Sequence, residues 1–76
     1  MAWTRVYETP SWRSVEAAVA ALQDEGYRRG SGPGRRYKVR IVGKTDDDIR
    51  ALRATKRGRP APKGLEAKFI VKTKEV

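Results

Sequence analysis

Two runs of glycine, proline and arginine interrupt this chain and dictate how it can be built. Residues 28–36 read Arg-Arg-Gly-Ser-Gly-Pro-Gly-Arg-Arg, and residues 56–64 read Lys-Arg-Gly-Arg-Pro-Ala-Pro-Lys-Gly. Clustered Gly and Pro exclude regular structure there, so every helix or strand must fit into the segments they separate. The first segment holds a strand over residues 2–8, where Trp3, Val6 and Tyr7 favour extended backbone. Thr9-Pro10-Ser11 follows as a helix start, with Thr9 or Ser11 able to cap. Trp12, Val15, Val19 and Leu22 then recur at helical spacing, and Gly26 is a natural stop.

Between the two runs, Tyr37, Val39 and Ile41 alternate with Lys38 and Arg40, which predicts a strand with one buried face over residues 37–43. Thr45 caps a second, shorter helix. Asp46, Asp47 and Asp48 occupy its first turn, where the positive end of the helix dipole favours anions, and Ile49 and Leu52 give it an apolar stripe. A last strand over residues 65–73 sets Leu65, Ala67, Phe69 and Val71 against Glu66, Lys68, Ile70 and Lys72.

The order β-α-β-α-β predicts an α+β domain of two layers, a three-stranded sheet with both helices on one face. All 76 residues belong to one domain. Strand order stays open. A full return of the second helix makes all strands parallel and brings both basic runs to one edge; an incomplete return makes the last two strands antiparallel and sends the runs to opposite ends. In a further variant, Tyr27-Arg28-Arg29 pairs with the strand after the glycines as a hairpin with a basic tip.

Charge is the strongest compositional signal: eighteen Lys and Arg against nine Asp and Glu give a formal net charge of +9. A small domain this basic suits a polyanionic partner: DNA, RNA or an acidic protein surface. With no Cys and no His, the usual nitrogen and sulfur ligands of zinc are missing, as are Cys- and His-based nucleophilic sites. No cofactor, metal or enzymatic activity is expected. The absence of Cys fits an intracellular, cytoplasmic protein, associated with nucleoid or nucleus if it binds DNA. Residues 1–5 lack the apolar run of a signal peptide, and neither a membrane span nor a basic helix with a bulky apolar face is evident.

The second basic run carries the most specific pattern. Arg57-Gly58-Arg59-Pro60, flanked by Lys56 and Lys63, resembles the core of an AT-hook, a motif that lies in the minor groove of A·T-rich DNA. The resemblance covers residues 56–64 only. It implies that Gly58 lets the backbone approach the groove floor while Arg57 and Arg59 follow the groove's negative potential. Pro60 would hold Arg59 extended, and Lys56 and Lys63 would reach phosphates. Arg28, Arg29, Arg35 and Arg36, around the other glycine-rich run, supply further backbone contacts in this reading. The glycine-rich run itself lacks the Gly-Lys-Ser/Thr pattern of a P-loop.

A second candidate surface is the outer face of the sheet, where Lys38, Arg40, Lys68, Lys72 and Lys74 form a basic platform. If Val6 points inward, Trp3, Arg5 and Tyr7 join it, a combination suited to stacking single-stranded bases. The size of Trp3 and Tyr7 favours the core instead. Asp46, Asp47 and Asp48 fan around their helix rather than converge, so dipole complementarity accounts for them. The sequence thus points first to a small DNA-binding accessory protein that contacts duplex phosphates and the A·T-rich minor groove. The alternatives are an inhibitor or adaptor docking on an acidic protein, and a binder of RNA or single strands.

Overall fold

The computed structural model describes residues 2–75. The chain forms β1 (Thr4–Thr9), α1 (Trp12–Asp24), β2 (Arg28–Arg29), β3 (Arg36–Gly43), α2 (Asp46–Ala54), a 3-10 turn (Thr55–Arg57) and β4 (Ala67–Lys74). The α+β class is as expected, but the sheet has four strands in the order β1-β4-β3-β2. The last strand occupies the middle. It runs antiparallel to both neighbours, pairing Thr9 with Phe69 on one side and Ile41 with Phe69 on the other. The second helix therefore does not return across the sheet, and the two basic runs join it at opposite ends. Residues 30–35 enter β3 beside Lys74, whereas residues 58–66 enter β4 beside Gly43.

The fourth strand comes from Arg28 and Arg29, which do pair with the segment after the glycines, though not as a hairpin. Arg28 aligns with Arg36 and Arg29 with Tyr37 in parallel, through Arg28 N–H to the Arg35 carbonyl and Gly30 N–H to the Tyr37 carbonyl, each 3.0 Å. Parallel neighbours ordinarily need a crossover of a dozen residues or more. Here six residues suffice, because Gly30, Gly32 and Gly34 adopt φ of 98°, 134° and 86°, a left-handed path closed to side chains with a Cβ.

Local chemistry fixes both helices. Ser11 caps α1 by accepting from Ser14 N–H at 3.3 Å, while the Thr9 hydroxyl accepts from Ser11 N–H at 3.0 Å. The helix ends in a Schellman turn, with Tyr27 N–H donating to the Leu22 carbonyl and Gly26 N–H to that of Gln23. Thr45 caps α2 by accepting from Asp48 N–H at 3.2 Å, and the three aspartates fill its first turn. Between the helices and the sheet lie Val15, Leu52, Ala67, Phe69 and Val71, all buried, with Trp12 tilted against Phe69 at 5.3 Å between ring centroids.

Helix α2 sits closest to the sheet at Gly43. A Cβ built there would lie 2.8 Å from Ile49 Cγ1 and 3.2 Å from the Ala67 Cβ. Gly43→Ala should therefore destabilise the fold by about 1–3 kcal/mol through overpacking. Urea denaturation followed by far-UV circular dichroism will measure it; an unchanged midpoint would mean that α2 can shift freely.

Candidate nucleic-acid interface

Both helices pack on one side of the sheet, leaving the other side uncovered. The register arranges that outer face as rows across β1, β4 and β3. Lys74 lies beside Arg36, Lys72 between Arg5 and Lys38, Ile70 between Glu8 and Arg40, and Lys68 beside Val42. Ile70 is only 1% exposed although no second layer covers it. The stems of long neighbouring side chains shield it while their charged ends remain in water.

A bulge at Val6 decides which aromatic joins this face. Arg5 pairs with Lys72 and Tyr7 with the next residue, Val71, so Val6 is an extra residue in β1. The insertion reverses the alternation: Arg5 lies outward, whereas Tyr7 shares the helix-side register of Val71. Trp3 lies on the outer face, with Lys38 Nζ 4.3 Å and Lys74 Nζ 5.2 Å from its ring centroid. The expectation that bulk would send Trp3 and Tyr7 into the core fails for both. Trp3 finds its cover among lysine stems, and Tyr7 remains 41% exposed on the edge strand.

Like charges dominate the face. Among the described residues of β1, β3 and β4, Glu8 is the one acid on it, bonded to Arg5 at 2.7 Å and lying 3.6 Å from Lys68 Nζ. The hydrogen bond from Arg5 leads in holding the Glu8 carboxyl below its ordinary range, with Lys68 adding to it against a smaller desolvation penalty. Among the described residues, Lys38, Arg40, Lys72 and Lys74 form no ion pair. Desolvation, then Arg40, Lys72 and Lys74, push the Lys38 ammonium below its usual value. A bound anion would relieve that repulsion.

The arginines around the glycine-rich run divide into two pairs. Arg28 and Arg29 are exposed on the edge strand β2. Arg35 braces the chain, donating to Glu75 at 2.7 Å and to the Glu25 carbonyl at 2.8 Å, with its guanidinium over Tyr27. The Glu75 carboxylate raises the Arg35 pKa. Arg36 donates to the carbonyls of Pro33 and Arg29 and so holds its own loop.

In the other run, Lys56 lies over Trp12, with Nζ 4.6 Å from the ring centroid. Arg57 closes the 3-10 turn, and Gly58 ends it at φ 88°, donating to the Thr55 carbonyl. Arg59, Pro60 and Lys63 are exposed in the irregular stretch that follows. One residue from each run reaches a cleft of about 130 Å³ on the helix side. Arg29 and Lys56 line it together with Trp12, Val19, Tyr37 and Val39. The outer face thus gathers Trp3 and cations from β1, β3 and β4, while the two sequence-predicted basic runs remain apart. That grouping depends on β4 lying between β1 and β3 and on the Val6 bulge, and neither leaves a mark in the periodicity.

Compared with known proteins, the chain matches no family model, no curated protein and no solved structure. Among the described residues, no helix is long and apolar enough to cross a membrane.

The charge repulsion is directly measurable. Lys72→Thr removes the cation flanked by Arg5 and Lys38 and substitutes a good strand former, so the melting temperature should rise at low ionic strength. The gain should shrink in high salt as screening weakens the repulsion it relieves. A lower melting temperature at every salt concentration would refute the electrostatic account.

Proposed function

We propose that this chain binds single-stranded nucleic acid on the open face of its sheet. The observation that carries the reading is Trp3 lying on an uncovered face beside Lys38 and Lys74, with Arg40 and Lys72 close by and unpaired among the described residues. An aromatic plane within a cationic surface stacks a base and neutralises the phosphates on either side of it. Affinity comes from those phosphates, and stacking favours an unpaired base over one held in a duplex. The reading keeps the polyanionic partner implied by the net charge and moves its contact surface from the loops to the sheet.

Duplex DNA bound through residues 56–64 is the competing reading, supported by the exposure of Arg59, Pro60 and Lys63. It requires a change of local shape, because an extended crescent is incompatible with the turn that Arg57 closes and Gly58 caps. An acidic protein partner would use the same cations without needing Trp3.

Fluorescence anisotropy with labelled oligo-dT and oligo-U, in competition with A·T and G·C duplexes, separates these readings. Trp3→Ala should weaken single-strand binding by about 1–3 kcal/mol, the range for loss of one stacked base. With the four unpaired cations engaged, log K should fall against log salt with a slope of about −3. Unchanged affinity in Trp3→Ala would move the site off the sheet face. An A·T preference abolished by Arg57→Ala with Arg59→Ala would favour the minor-groove reading, and no oligonucleotide binding at low salt would favour the acidic protein.

A further inference from the structure

Helix α2 carries a second cationic surface. Arg50, Arg53 and Arg57 follow one another at intervals of three and four residues, which places them on one side of the helix and its 3-10 extension. All three are exposed, and they line a single shallow cavity of about 150 Å³ floored by Ala54. Helical spacing would let Asp46 or Asp47 pair with Arg50, yet among the described residues none of the three arginines forms an ion pair. Three arginines lining one cavity offer guanidinium donors to the oxyanions of a phosphate, which arginine can hold through two parallel hydrogen bonds. Their place near the C-terminal end of α2 is where a helix best tolerates positive charge.

The position of this stripe matters as much as its chemistry. Leu52 is buried between α2 and the sheet, so the arginines flank the packed side of the helix, while Lys38, Arg40, Lys72 and Lys74 lie on the sheet face that the helices leave uncovered. The two cationic surfaces therefore belong to different layers of the domain, one to α2 and one to the uncovered face of the sheet.

We propose that the α2 arginines form a second phosphate-binding surface and that the protein bridges two nucleic-acid segments, one on each face. This rests on the sheet face binding nucleic acid, and the closing experiment tests the two claims separately. One oligo-dT is immobilised, protein is added, and retention of a second, fluorescent oligo-dT is measured after washing. Wild-type protein should retain the second strand. Arg50→Gln with Arg53→Gln should bind a single oligo-dT within about twofold of wild type by anisotropy, since phosphate contacts elsewhere are intact, yet lose most of the capture. Trp3→Ala should weaken both readouts. If the double variant captures the second strand as well as wild type does, the arginine stripe is not a bridging surface. Absence of single-strand binding by the wild type would instead remove the sheet-face reading beneath it. Far-UV circular dichroism establishes that the double variant is folded; should it not be, Arg53→Gln alone is tested and should reduce capture several-fold.

Discussion

Everything in this small domain hangs on β4 being buried from both sides. Phe69 and Val71 face the helices and Ile70 faces outward, yet none of the three is more than 1% exposed. That is possible only for a strand with neighbours on each edge. β4 is the last element formed along the chain, and it is the only partner through which β1 reaches the rest of the sheet. The central contacts therefore join residues far apart in sequence, and the entropy of closing those loops must be lost before the core can form. The outer face inherits the same dependence. Trp3 arrives just ahead of β1 and Arg5 on it, Lys38 and Arg40 on β3, and Lys72 and Lys74 on β4, so the cationic surface exists only when all three strands have assembled.

What could be read from the sequence follows the range of the forces involved. Ser11, Thr45 and Gly26 act within a few residues of themselves, and both helices begin, and α1 ends, close to where those residues indicate. The alternation of Tyr37 to Ile41 and of Ala67 to Val71 likewise shows which side of each strand is buried. Strand direction was not legible, because it depends on how far α2 travels across the sheet, and neighbouring residues do not encode that distance. For the short strand β2 the pairing was legible but its parallel direction was not. Its partner lies beyond three left-handed glycines, and a run that reads as a flexible tip instead winds the chain into parallel pairing.

The candidate site shows the same division. The basic platform of Lys38, Arg40, Lys68, Lys72 and Lys74 was visible as a periodic pattern, but whether an aromatic belonged to it was not. The arginine-rich runs attracted notice because they are contiguous, yet much of their chemistry is internal. Arg35 and Arg36 satisfy carbonyls and the Glu75 carboxylate, Lys56 covers Trp12, and Gly58 ends a turn. The face gathered from three separate strands places Lys38 and Lys74 against Trp3 with Arg40 and Lys72 close by, a grouping that contiguity along the chain does not reveal.

The extra residue at Val6 has a consequence beyond the one it has for Trp3 and Arg5. β1 is an edge strand, and a regular edge with exposed apolar side chains such as Val6 and Tyr7 is a template on which another chain can build. A bulge breaks the even spacing of free amides and carbonyls that such growth requires, and it twists the strand away from a flat approach. One inserted residue thus sets Arg5 and Tyr7 on opposite faces and at the same time guards the adjoining edge against aggregation. Deleting Val6 would leave Arg5 opposite Lys72 and Tyr7 opposite Val71 but would restore the regular edge.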